Sequence, residues 1–175
     1  MFDLDRFVGD CEVAVMSNAG PEHVREILSR AMSDPAAISK TLGEPKPRKL
    51  HRSRHLTILN VAWPPNFTVA PHNHRTWSVI GMYSGREDNI FWRRLSTKSG
   101  TRIEALGARA LSTGDVIALG DDIIHSVTNP IPRHSCAIHI YGGDFFASAR
   151  SEWDPETLEE HPLDVENLSR IFAQS

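Results

Sequence analysis

The sequence predicts a mainly β chain: a sandwich or barrel of many short strands, with helical ends. Three observations carry that prediction. After Glu44-Pro45-Lys46-Pro47-Arg48, a stiff and extended breaker, the apolar period changes from that of a helix to two. The segments that follow are short and are parted by turn sequences every 8–12 residues or so, the spacing of an all-β domain. One of them carries two histidines two residues apart, His72 and His74, and in a strand such residues face the same side.

In chain order, the first 45 residues read as helical. From Pro21, suited to a first helical turn, Val24, Ile27, Leu28 and Ala31 recur at helix spacing, with Glu22, Arg25, Glu26 and Arg30 on the other face. A second short helix runs through Ala36, Ala37, Ile38 and Leu42, opened by Asp34-Pro35 and closed by Gly43. Strands are then expected over Lys49–Ser53, His55–Trp63, Thr68–Pro71, Thr76–Tyr83, Asn89–Leu95, Thr101–Ser112 (two strands parted at Gly107), Asp115–Leu119, Ile123–Thr128 and Ser135–Tyr141. From Pro162, Val165, Leu168, Ile171 and Phe172 predict a last amphipathic helix on the outside. The whole reads as a single domain: helices over 1–45 packed on a β body of 46–148, then an extension of 149–175.

Composition excludes several functions. A chain of 175 residues buries a core without disulfide help, and a net charge of -3 leaves no basic footprint for nucleic acid or a membrane surface. Its two cysteines, Cys11 and Cys136, are too few for a secreted disulfide framework and read as reduced thiols. The start, Met1-Phe2-Asp3-Leu4-Asp5, lacks the basic and apolar regions of a signal peptide, and no apolar run is long enough to span a bilayer. A cytoplasmic, soluble protein is expected, monomer or homodimer, with no nucleic-acid or membrane partner.

The histidine pair alone is weak evidence, since nine histidines in 175 residues give roughly 0.4 such pairs by chance. Context strengthens it. His125 lies on a return strand after the turn Gly120-Asp121-Asp122, in a segment that opens at Gly114 and ends at Asn129-Pro130. Ala137, His139 and Tyr141 share one face of a later strand, so an imidazole and a phenol can point together into a lumen. The other histidines, His23, His51, His55, His134 and His161, read as surface or rim residues. Cys136 reads as a packed thiol turned away from Tyr141, and Trp63 and Trp77 as core or pocket wall.

These two segments resemble the two motifs of the cupin superfamily, jelly-roll barrels (double-stranded β-helices) that bind a metal in the lumen. His72, His74 and Gly85 fit the first motif; Gly114, His125 and Asn129 fit the second, with Gly120 where proline is usual. The resemblance covers roughly residues 48–145. The carboxylate that commonly follows the histidine pair is missing, with Ser78 or Val79 in its place. Three neutral imidazoles leave a divalent ion its full charge, which favours a substrate bringing an anionic ligand such as a thiolate.

Within the superfamily, the chain is similar to the thiol dioxygenases: cysteine dioxygenase and its bacterial 3-mercaptopropionate relatives. The likeness rests on His72-Asn73-His74-Arg75-Thr76-Trp77-Ser78-Val79-Ile80-Gly81, on His125-Ser126-Val127-Thr128-Asn129 and on Cys136-Ala137-Ile138-His139-Ile140-Tyr141. It implies one Fe(II) per chain held by His72, His74 and His125, with zinc, nickel or manganese also able to occupy such a site. It implies a small thiol and O2 as partners, sulfur oxidised to a sulfinate, and Tyr141 donating to dioxygen or substrate while His139 holds the phenol. Ala137 replaces the serine that the family places beyond that histidine, and no thioether from position 78 or 79 to Tyr141 is expected.

A thiol acid also needs a cation for its carboxylate. Arg48, Arg52, Arg54 and Arg75 are the candidates, with Arg52 and Arg54 on one face just before a strand. Two rival readings keep the barrel. One is a zinc or manganese hydrolase, isomerase or other oxygenase; the other is a non-enzymatic cupin that binds a small molecule.

Overall fold

The computed structural model describes residues 1–17, 20–97 and 100–164, and the helix expected on Val165, Leu168, Ile171 and Phe172 lies outside them. Three helices open the chain. Helix α1 (Leu4–Met16) starts where the Asp3 carboxylate accepts the Arg6 N–H at 3.0 Å, satisfying a donor that has no partner inside the helix. Helix α2 (Gly20–Ala31) buries Val24, Ile27 and Leu28. Helix α3 (Pro35–Leu42) is capped by Asp34, which accepts the Ala37 N–H at 3.1 Å, and ends at Gly43 with a positive φ of 72°.

The change of period near residue 48 is where the sheets begin. The strands are β1 (Arg48–Arg52), β2 (Leu56–Trp63), β3 (Thr68–Asn73), β4 (Ser78–Ser84), β5 (Arg86–Thr97), β6 (Gly100–Ser112), β7 (Val116–Leu119), β8 (Ile124–Thr128), β9 (Ser135–Gly142), β10 (Ser151–Trp153) and β11 (Glu160–Pro162). They form a five-stranded sheet in the order β1-β2-β9-β4-β7 and a six-stranded sheet in the order β11-β10-β3-β8-β5-β6. From β2 to β9 the chain passes back and forth between the sheets, and the observed pairings are antiparallel, as in a jelly roll. Among the described residues the two sheets are not joined edge to edge into a closed barrel.

Two expectations needed correction. The segment read as two strands parted at Gly107 is one strand, because the interruption is absorbed as a bulge. Phe91 pairs with Gly107 and Trp92 with Ala105, which leaves Leu106 unopposed and exposed. The segment after residue 149, read as an extension carrying a helix, adds β10 and β11 to the six-stranded sheet, with Glu152 opposite His72.

The five-stranded sheet is buried on both faces. Cys136, Ile138 and Ile140 of β9 join Leu56, Ile58 and Val79 in a core with Leu28, Ile38 and Leu42 from the helices. Helix α2 comes so close to β4 that a Cβ on Gly81 would lie 2.9 Å from Leu28 and Met32 side-chain carbons. The alternate residues of β9, with Leu59 and Val61 of β2, face the other sheet, and the candidate site lies there.

Candidate metal and anion site

Between the sheets is a cavity of about 90 Å³. Its walls are mostly apolar, from Leu59, Val61, Val69, Val127 and Phe145, and His72, His74, His125, His139, Tyr141 and Arg150 enter it. β3 supplies His72, the residue just past its end supplies His74, and β8 supplies His125 directly across the ladder from His72. The ring Nε2 atoms converge: His74 lies 3.3 Å from His72 and 3.2 Å from His125.

Each outer nitrogen has a hydrogen-bond partner. His72 Nδ1 lies 3.0 Å from the Ala70 carbonyl oxygen, which can only accept, so Nδ1 is the donor and Nε2 keeps its lone pair. His125 Nδ1 donates to Asn89 Oδ1 at 2.8 Å, and His74 Nδ1 pairs with Ser78 Oγ at 3.1 Å. Burial pushes the His72 imidazolium down to about 4, and burial pushes those of His74 and His125 well below the ordinary range. Three neutral imidazoles aimed at one point, each braced from behind, can hold a metal ion. Ser78 thus braces a histidine.

The second group lies on β9. The phenol of Tyr141 lies 2.9 Å from His139 Nδ1, and the Tyr141 ring packs edge-on against His74 with centroids 5.0 Å apart. Burial raises the Tyr141 phenol above its usual value and lowers the His139 imidazolium to about 3, so both are neutral near pH 7. Beyond His139, where Ala137 leaves no hydroxyl, lies a buried carboxylate instead, with Glu87 Oε2 3.9 Å from His139 Nε2.

The four candidate arginines are not brought to the cavity. Arg52 is bound at the surface by two hydrogen bonds of 2.8 Å to Asp144, Arg54 donates to the neighbouring His55, and Arg75 sits exposed in a turn with φ 57°. Arg48 reaches the Leu42 carbonyl at the end of α3. None of the four lines the cavity. The cation that does is Arg150, 4% exposed, with Nε and Nη2 lacking any hydrogen-bond partner among the described residues. Its Cζ lies 3.7 Å from the centroid of the Phe145 ring, which in turn stacks on Tyr141 at 3.9 Å. Burial lowers the Arg150 guanidinium to about 10, so it is charged at neutral pH, and its charge helps to depress His72 and His74.

Asn73, between the two histidines, fixes the segment that carries Arg150: its Oδ1 accepts the Ser151 N–H at 3.0 Å. The sequence offered little to mark Arg150, a lone cation just before a three-residue strand. Glu87 was more accessible, because Glu87, Asn89 and Phe91 alternate on one face of β5, but it follows Gly85-Arg86 and reads as part of a polar turn.

No family model matches the chain. Among solved structures, similar folds include a DMSP lyase from Ruegeria pomeroyi, at 20% identity over 59% of this chain and 46% of that one, with a TM-score of 0.45. An RmlC-like cupin with a double-stranded β-helix fold from Methanocaldococcus jannaschii matches at 10% identity over 57% of this chain and 80% of that one, with a TM-score of 0.46. An oxalate oxidase in complex with glycolate matches at 17% identity over 51% and 42%, with a TM-score of 0.41. The likeness is one of fold. This chain spans less than half the length of the lyase and oxidase chains. No helix among the described residues is long and apolar enough to cross a membrane.

Proposed function

We propose that this protein is a non-haem iron(II) thiol dioxygenase that oxidises a small thiol acid to its sulfinate, both atoms of O2 passing to sulfur. The observation that carries the reading is Arg150: a buried guanidinium with two nitrogens unpartnered among the described residues, in the same small cavity as three convergent imidazoles. Burying an unpaired charge is costly, and a carboxylate in the cavity relieves that cost with charge-assisted hydrogen bonds. Bound at the three histidines, the metal would supply the site at which thiolate and O2 react.

The chain's own residues would then do four things. His72, His74 and His125 would add no negative charge, leaving the ion's attraction for a thiolate undiminished. Arg150 would anchor the other end of the substrate and set its orientation. Leu59, Val61, Val69 and Phe145 would exclude water around the sulfur. Tyr141, held by His139, would place a phenol hydroxyl beside His74, where it can hydrogen-bond substrate or oxygen atoms. A divalent ion and Arg150 are two cationic centres, one to face a thiolate and one a carboxylate. That arrangement favours 3-mercaptopropionate over cysteine, whose ammonium would face a cation-rich pocket. Iron is proposed over zinc, nickel or manganese on the resemblance, since all suit imidazole donors to some degree.

The test is oxygen uptake by iron-loaded protein with 3-mercaptopropionate, cysteine and cysteamine. Uptake of one O2 per sulfinate formed, fastest with 3-mercaptopropionate, is expected. Tight zinc binding with no thiol-dependent uptake in any metal form would overturn the reading and leave a hydrolase, an isomerase or a binding protein. His125→Ala should remove metal binding and keep the fold, and full metal occupancy in that variant would refute the ligand set.

A further inference from the structure

One buried acid is used by nothing described so far. Glu87, at the start of β5, is fully buried, and donors approach both of its oxygens. Trp63 Nε1 donates to Oε2 at 3.0 Å, and Asn89 Nδ2 donates to Oε1 at 3.1 Å. His139 Nε2 lies 3.9 Å from Oε2 and has no hydrogen-bond partner among the described residues. Two chains of contacts therefore leave one carboxylate. One runs through Asn89 to His125, and the other through His139 to Tyr141.

We propose that Glu87 is a positioning residue for the metal half of the site, fixing the direction of the Asn89 amide and, through it, the tautomer of His125. The argument is one of donors and acceptors. A carboxylate oxygen takes the Asn89 NH2, so the Asn89 oxygen faces His125 and accepts its Nδ1–H. That leaves the His125 Nε2 lone pair pointing at His74 and His72. The inference rests on the metal-site reading for its consequence, although the tautomers can be read without metal.

Glu87→Gln breaks the first chain in a specific way. Trp63 offers only a donor, so the new amide keeps its oxygen toward Trp63 and turns its NH2 toward Asn89. Asn89 must then flip and present its own NH2 to His125 Nδ1, which drives the proton to Nε2 and removes the lone pair from the metal. Adding Asn89→Asp repairs this, because the carboxylate it introduces accepts both from the new amide and from His125. The same side-chain volumes remain throughout.

The experiment is titration of metal-free protein with Co(II) and with Zn(II), alongside imidazole 15N shifts of the metal-free protein. Glu87→Gln is expected to weaken metal binding at least tenfold, in the range usual for groups that brace metal ligands. It is also expected to move the His125 proton from Nδ1 to Nε2. The double variant Glu87→Gln/Asn89→Asp is expected to restore both within about threefold. Unchanged affinity and tautomer in Glu87→Gln, or a folded double variant that rescues neither, would overturn the proposal. If Glu87→Gln fails to fold, a double variant that folds and binds metal supports it, and a double variant that also fails to fold or bind counts against it. Wild-type protein that binds no metal, yet shows the tautomer switch and its rescue, would sink the metal reading alone.

Discussion

Arg52 and Arg150 lie on opposite sides of the same question. Both lie close to a phenylalanine ring: Arg52 on Phe146, with its Cζ 5.1 Å from the centroid, and Arg150 on Phe145 at 3.7 Å. Arg52 is at the surface, with both terminal contacts taken by one carboxylate. Arg150 is buried and leaves two nitrogens without protein acceptors among the described residues. A cation with a partner already has its electrostatic role inside the fold. One held in a cavity without a partner is costly to the fold and has its use when a ligand arrives. The difference separates a structural arginine from a binding one better than nearness to the histidines along the chain.

Arg150→Met is the sharpest way to break that distinction. Methionine keeps apolar bulk against Phe145 and removes the buried charge, so stability should be unchanged or higher. The KM for 3-mercaptopropionate should rise about 100-fold or more, since a charge-assisted pair truncated in a buried site costs roughly 2–5 kcal/mol. Cysteamine, which has no carboxylate, should show no such loss from the same substitution. A KM for the acid within threefold of wild type would place the carboxylate elsewhere. Arg52→Gln should leave both substrates untouched.

The same contrast explains what could be read from the sequence. His72, His74, His125, His139 and Tyr141 were legible because strand period and turn spacing fix which side chains share a lumen, and all five do line one cavity. Short strands between strong turns were legible for the same reason. Arg150 was not, because its place depends on a non-local link, the Asn73 side chain holding Ser151, and nothing in residues 145–153 announces that link. Arg52, Arg54 and Arg75 were drawn in by proximity along the chain, but surface partners or a turn conformation keep them out. Glu87 was hidden by composition: Arg86-Glu87-Asp88-Asn89 looks like a solvated turn, yet alternate residues of it face the core. The helix read on 165–172 falls outside the described residues.

A second prediction extends the comparison from arginines to histidines. His74, His125 and His139 are buried and His72 is half-buried in the cavity wall, and all four are neutral, with folded values below the unfolded 6.5, to about 4 for His72 and about 3 for His139. Below about pH 6.5 the unfolded chain therefore binds protons that the folded one refuses, and stability falls as the pH drops. Each such group contributes a slope of up to about 1.4 kcal/mol per pH unit. Four together would lose several kcal/mol by about pH 5, against the roughly 5–15 kcal/mol of an ordinary domain, and Glu87, whose carboxyl burial raises, offsets part of that loss. Thermal melts of metal-free protein from pH 7.5 to 5 should show a steep fall in Tm. A flat profile would mean that these rings gain protons in place, and that the cavity is wetter than its walls imply.

The smallest expected effect belongs to the partnered arginine. Asp144 has its carboxyl held below the usual range by the hydrogen bonds from Arg52, so its contribution is present above about pH 3.9 and lost as the pH falls through the lowered folded value. The pair is largely solvent-facing, so Asp144→Asn should cost no more than about 0.5–1 kcal/mol, while asparagine can still accept the Phe146 N–H that Asp144 accepts at 3.1 Å. Between pH 8 and 5 Asp144 is ionised in both folded and unfolded chains. The difference in urea midpoint between wild type and Asp144→Asn should therefore stay constant across that window, while both proteins lose stability through their histidines. A difference that widened or closed between pH 8 and 5 would couple the Arg52–Asp144 pair to the buried imidazoles and erase the separation between the surface cation and the site.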